Sequence, residues 1–325
     1  MSTDDTQAAR GPARDALRDP APTPVPAVGA DSPFRREHAT RDEAPQFVLP
    51  LVVRIEKAAP PTRTAALETA ARAVLVLLTD ERAHGDGEWA AAVRDWQDAR
   101  IRKVVRRARG AEWRKAGTLP GVTVRGEAPP RTSAQTPTAQ TPTAQTPPAQ
   151  APPAQAPPQA SPEVSPEVLA RDPAQTSPPA SPLASPQASS EAEVRVFPPV
   201  PLDGWPKELA KLQVSGTDLD DPEPVPPAAP GVPVLWLNPD LDMSAGKAMA
   251  QAGHAAQLAW WELAPADRAA WRDSGFRLAV RTAPRERWAE LSGSGLPVVR
   301  DAGFTEIAPG SCTVVSDHPA LRARL

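Results

Sequence analysis

Two regions of the chain show a regular pattern of hydrophobic and polar positions, and long stretches without pattern separate them. The C-terminal region alternates cleanly. The run VPVLWL at 232–237 is β-branched and apolar and predicts a strand. Small apolar residues at helical spacing follow over 243–261. A short helix is expected over 265–273, with Pro265 in its first turn. Then come a strand at 276–281, a helix at 284–291 ended by SGSG, a strand at 297–300, a loop, and a strand at 311–316. Strands alternating with helices predict an α/β domain over 231–325, a small mixed β-sheet with helices on both faces. At roughly 95 residues it can bury one core.

The second patterned region runs from 46 to 124 and predicts a small α+β accessory region. FVLPLVVRIEK at 47–57 reads as a strand, and Pro50 within it points to an edge position or a late start. Helical spacing continues over 62–79, then after a Gly-containing loop over 88–116, where Gly117 and Pro120 end it. The later half of that second helix is strongly basic. A basic strip attracts phosphates, and Trp96 or Trp113 beside it offers a face for base stacking. Arg102, Lys103, Arg106, Arg107 and Arg109 are therefore candidate RNA contacts; a solvated helix face with Trp in the core is the plain alternative. Residues 191–216 carry a short strand-like run and a short helix that could complete this region.

The remaining stretches have no apolar period. Residues 1–45 read as a disordered tail, and 125–190 as a Pro/Ala/Gln-rich linker. Within the linker a five-residue unit, AQTPT to AQAPP, recurs over 134–158, extended and without a core. Residues 217–230 form a second, acidic and Pro-rich linker. The 44 Pro and the 40% apolar fraction agree with a chain much of which is not packed core. A net charge of −3 gives no global attraction to nucleic acid, so any such surface is a local patch. The single cysteine, Cys312, excludes an intrachain disulfide and a cysteine-based zinc site. No apolar run approaches the roughly 20 residues that span a bilayer, and the N-terminus lacks a secretory apolar segment, so a cytoplasmic protein without a membrane partner is expected.

Candidate chemistry lies in the C-terminal region. Lys247, Gln251 and His254 share one face of the helix expected over 243–261. Each alone is ordinary. The second run, RDAGFTEIAPGS at 300–311, places Asp301 and Thr305 at a strand's carboxyl end, where open α/β sheets gather ligands. If that end adjoins the helix, a carboxylate to orient or deprotonate water and an ammonium to stabilise an oxyanion flank one cleft. Such a set suits metal-free ester hydrolysis.

The segments DLDMSAGKAMAQAGHAA (240–256) and VRDAGFTEIAPGSCTVV (299–315) resemble the type II peptidyl-tRNA hydrolase family in motif and in spacing. The resemblance implies a hydrolase of translation that cleaves the ester between peptide and tRNA, with peptidyl-tRNA as partner and no metal or other cofactor. By its motifs, Lys247, Asp301 and Thr305 are the expected catalytic residues. Gln251, His254, Ser311 and Thr313 are expected to bind substrate or support the site. The family usually carries a basic residue at the position of Asp242 and often at Ala245, Arg at that of Phe304, and Gln at that of Glu306. These departures support an alternative, a non-catalytic tRNA- or ribosome-associated module that retains the fold. A homodimer is left open.

Overall fold

In the computed structural model, residues 45–126, 191–303 and 306–325 are described. The expected tail and most of the Pro-rich linker lie outside them. The architecture is mixed α/β with two mixed sheets, and residues 46–325 form one compact unit.

The first sheet holds β1 (Phe47–Arg54), β2 (Arg102–Ala108), β3 (Val122–Arg125), β4 (Glu193–Val196) and the two-residue β5 (Val200–Pro201). Its order is β2-β1-β4-β3, with β5 also paired to β1. The β1/β2 pair is parallel and the others antiparallel. Pro50 is not at an edge, because β1 has neighbours on both sides. Its missing N–H falls opposite the break between β4 and β5, where its carbonyl accepts from Phe197 N–H (3.1 Å). The ladder is already interrupted there by Pro198 and Pro199, so no donor is required.

Helix α1 (Arg63–Leu78) is capped by Thr62, whose side chain accepts from Ala65 N–H. The helix expected over 88–116 is instead α2 (Ala90–Asp98), strand β2, and α3 (Gly110–Gly117). Ile101, at φ +43°, breaks the helical path. In β2, Lys103, Val105 and Ala108 are buried, so tertiary pairing with β1 overrides the helical propensity of Lys and Arg. A short α4 (Lys207–Ala210) follows β5.

The second sheet holds β6 (Val234–Leu237), β7 (Ala279–Thr282), β8 (Val298–Arg300) and β9 (Cys312–Asp317), in the order β7-β6-β9-β8. Its helices are α5 (Ala245–Glu262), α6 (Pro265–Asp273), α7 (Trp288–Gly293) and α8 (Pro319–Arg322). No helix among the described residues is long and apolar enough to cross a membrane.

Helix α5 is the centre of the unit. It packs on α1 and β2 on one side and on β6, β8 and β9 on the other. A helix buried between two layers must be small or apolar nearly all round, and α5 is. Ala248, Ala252, Ala255 and Ala259 form one fully buried stripe. On another face Gly253 meets α1, where a Cβ would lie 2.9 Å from Val74 Cγ2. One hydrophobic cluster therefore runs from Leu49 and Leu75 through Met249 to Val314. The 217–230 stretch is pinned rather than loose at its start: Thr217 and Leu219 are buried, and Asp221 accepts from Thr64 N–H (2.9 Å) and Oγ1 (2.8 Å).

Candidate active site

The N-terminus of α5 is built by Ser244. Its hydroxyl accepts from Lys247 N–H (3.3 Å), an N-cap that satisfies one of the helix's orphan donors. Ser244 is held in turn by Glu306, whose carboxylate accepts from Ser244 N–H (3.0 Å) and Oγ (2.8 Å). A carboxylate at a helix N-terminus is also favoured by the helix dipole. Glu306 thus locks the 301–311 loop onto the start of α5, a role its sequence position did not signal.

Lys247, in the first turn of α5, points its ammonium at Asp301, with Nζ 2.5 Å from Oδ2. Gln251, one turn on, donates from Nε2 to the same oxygen (2.8 Å). The Gln251 carbonyl oxygen accepts from Thr313 Oγ1 (2.6 Å), which fixes which way the amide faces. Asp301 Oδ1 accepts from Gly303 N–H (2.7 Å). The carboxylate is thus held by three donors and is almost wholly shielded from solvent. Removing one member of such a buried pair leaves the other charge poorly compensated.

The loop that carries Asp301 is closed by its own backbone. Asp301 N–H donates to Ser311 O (2.9 Å), and Gly310 N–H donates back to Asp301 O (2.7 Å). Gly303 sits at φ +80°, and a Cβ there would overlap the Pro309 ring. The Ser311 hydroxyl turns away to Ala308 O (2.8 Å), so it braces the loop. Asn238, beyond β6, donates to Cys312 O (2.9 Å) and ties the strand end to β9. Thr305 and Phe304 lie outside the described residues.

His254 shares its helix face with Lys247, but its Nδ1 lies 3.2 Å from Lys103 Nζ, on β2 of the first sheet. Lys103 also donates to Gln257 Oε1 (2.6 Å) and Ile101 O (3.3 Å). Lys103, a candidate RNA contact by sequence, has its side chain buried against α5. Arg106 and Arg107 are also engaged: Arg106 donates to Ala210 O (3.2 Å) and Leu212 O (2.5 Å), and Arg107 to Gln213 Oε1 (2.5 Å). Arg102 is half-buried, and Arg109 is exposed just before α3. The expected strip is therefore a strand over Arg102–Ala108, in which Lys103, Arg106 and Arg107 bond to groups of the protein itself. Gln257, fully buried, was missed; the one clue was a second amide on an otherwise apolar helix.

Burial holds the Lys103 ammonium well below the usual 10.5. Burial also holds His254 well below 6.5, helped by the positive charges of Lys103 and Lys247. From the depressed folded value of Lys103 up to 10.5, the unfolded chain binds a proton that the folded chain does not. Stability therefore rises with pH through that window and levels off above it. By the same sign, His254 lowers stability as pH falls below 6.5. Lys103→Met is expected to flatten the alkaline rise. Urea midpoints of parent and variant between about pH 7 and about pH 10 check it; parallel curves would show that Lys103 titrates normally.

No group of His, Cys, Asp and Glu among the described residues is arranged to hold a metal ion. Chemically, this cluster offers a fixed carboxylate, an ammonium beside it, and an amide and hydroxyl behind them. Residues 232–325 match the family model described as Peptidyl-tRNA hydrolase PTH2. The match covers β6 to the C-terminus, under a third of the chain, and includes Lys247, Gln251, Asp301 and Thr313.

Proposed function

We propose that this chain hydrolyses the ester joining a peptide to the terminal ribose of tRNA, with Asp301 and Lys247 as its central pair. The observation that carries this reading is the Lys247–Asp301–Gln251–Thr313 hydrogen-bond chain inside the region that matches the PTH2 family. In this mechanism the Asp301 carboxylate orients a water and takes its proton as the oxygen attacks the ester carbonyl. The negative charge that develops on the carbonyl oxygen is stabilised by the Lys247 ammonium. Collapse of the tetrahedral intermediate breaks the bond to the ribose oxygen, which receives the proton and leaves as free tRNA. Gln251, backed by Thr313, holds the carboxylate at its angle, so it positions rather than reacts. Thr305, following the family motif, is the third proposed catalytic residue, and Ser311 a loop support. His254 supports the site by anchoring α5.

Release of free tRNA from a peptidyl-tRNA by the full chain is the direct test. Turnover above the spontaneous rate supports the proposal, and its absence at micromolar enzyme would reject it.

Asp242 is exposed at the entrance to α5, where the related family usually carries a basic residue. Each phosphate contact contributes to affinity through counterion release. Asp242→Lys is therefore expected to lower KM for peptidyl-tRNA several-fold at low salt, with kcat little changed. The gain should shrink as salt is raised, and a salt-independent gain would mean that the residue acts on something other than phosphate.

A further inference from the structure

The two sheets have one topology. Each half of the unit runs strand, helix, helix, strand, helix, strand, strand: β1-α1-α2-β2-α3-β3-β4 in the first and β6-α5-α6-β7-α7-β8-β9 in the second. The strand orders β2-β1-β4-β3 and β7-β6-β9-β8 correspond, as do the parallel and antiparallel pairs.

Details that topology does not require also recur. Trp96 Nε1 donates to Arg102 O (2.8 Å), and Trp271 Nε1 donates to Arg277 O (2.9 Å). Ile101 N–H donates to Trp96 O (3.2 Å), and Phe276 N–H donates to Trp271 O (2.9 Å). Ile101 and Phe276, at φ +43° and +57°, are the only non-glycine residues with positive φ among those described. Such a backbone is rare for bulky residues, so its appearance at the same point of both halves is not a packing accident. At a constant offset of 175 positions (96 to 271, 125 to 300), Trp96, Arg102, Val105, Arg106, Trp113 and Arg125 reappear as Trp271, Arg277, Val280, Arg281, Trp288 and Arg300. The first helix begins alike as well: Thr62 caps α1 at Ala65 N–H as Ser244 caps α5 at Lys247 N–H.

The chemistry does not recur. Counted from the caps, Ala65 stands where α5 has Lys247, and Thr69 where it has Gln251. Gly126 stands where the second half has Asp301, and a Cβ there would lie 2.8 Å from Thr69 Oγ1, so the space for a carboxylate is filled. Asp301 N–H to Ser311 O closes the loop 302–310, and Gly126 N–H to Ala192 O (2.7 Å) closes 127–191. The Pro-rich stretch occupies the chain position of the catalytic loop.

The halves also meet reciprocally. Helix α5 reaches β2 through Gln257 and Lys103, and α1 reaches β7 through Glu68, which accepts from Val280 N–H (3.0 Å) and Arg281 (2.7 Å). Contact of element with partner element in both directions is the mark of a two-fold interface.

We infer that the N-terminal half is a second copy of the same fold, stripped of its chemistry, and that it serves in cis as the partner subunit against which α5 packs. That this copy is silent rests on the hydrolase reading; the pairing does not.

The test uses the full chain with Cys312→Ser and the pair Val74→Cys with Gly253→Cys, positions in contact across the α1–α5 seam. Oxidation is expected to give a faster-migrating, intramolecularly linked monomer on non-reducing gels. A mixture of the two single-cysteine chains, oxidised together, is expected to give no linked dimer. Linked dimers in either sample, or no disulfide in the double variant, would overturn the pairing in cis. In the parent chain, Asp301→Ala should lower tRNA release by about 100-fold or more, and retention of about half the parent turnover, as two working copies would give, would overturn the silence of the first copy. If the parent itself released no tRNA, the hydrolase reading would fail while the cross-link still decided the pairing.

Discussion

Asp301→Asn in the full chain is expected to lower tRNA release from peptidyl-tRNA by about 100-fold or more, the range for loss of a positioned general base. That corresponds to roughly 2.7 kcal/mol of barrier. Asparagine keeps the shape of the side chain and can still accept from Gly303 N–H or Gln251, so the loop stays closed. What it loses is the charge that pairs with Lys247 and the basicity that takes a proton from water. Asp301→Ala should lose as much activity and also lower stability by about 2–4 kcal/mol, because the Lys247 ammonium is largely buried beside it. Single-turnover rates with saturating enzyme, together with urea midpoints, separate the two effects. Parent-level turnover in Asp301→Asn would remove Asp301 from the mechanism.

A chain beginning at residue 228 is expected not to persist as a folded monomer. It would contain the whole region that matches the family, but it would strip α1 and β2 from α5. Gly253 and the His254–Gln257 edge would face water, together with the apolar surface that now meets α1. At roughly 25 cal/mol per Å2, exposing even ~200 Å2 of apolar surface costs about 5 kcal/mol. A domain of this size has only about 5–14 kcal/mol of net stability. The fragment should therefore self-associate through α5 or lose its cooperative transition. Sedimentation velocity and thermal melting check this. A sharply melting monomer with parent activity would show that the N-terminal half is dispensable for the fold.

Much of the C-terminal region was legible from sequence. The alternation of strands and helices over 231–325, the cap before α5, and the helix-plus-loop placement of Lys247 and Asp301 all follow from local pattern. Within the basic stretch 100–115, residues 110–115 are helical as expected, but 102–108 are the strand β2, because pairing with β1 outweighs the local helix preference of Lys and Arg. His254 was grouped with Lys247 and Gln251 by periodicity, yet its ring meets Lys103 across the seam. The internal repeat was present in the sequence, but its matches are scattered, and the Pro-rich stretch 127–190 interrupts the first copy.

By itself, the sequence determined the elements of the second half, the candidate residues for its proposed chemistry, and the stretches with too little apolar surface to predict a core. Those properties are local: they depend on side-chain period, caps and turn residues within a few positions. Only the tertiary structure decided what α5 packs against, which cations are buried, and that Glu306 holds the loop to the start of α5. Those outcomes depend on groups far apart in the chain: 151 positions separate Lys103 from His254, and 62 separate Ser244 from Glu306. No local pattern encodes such a contact, because its energy arises only when folding has removed water from both partners.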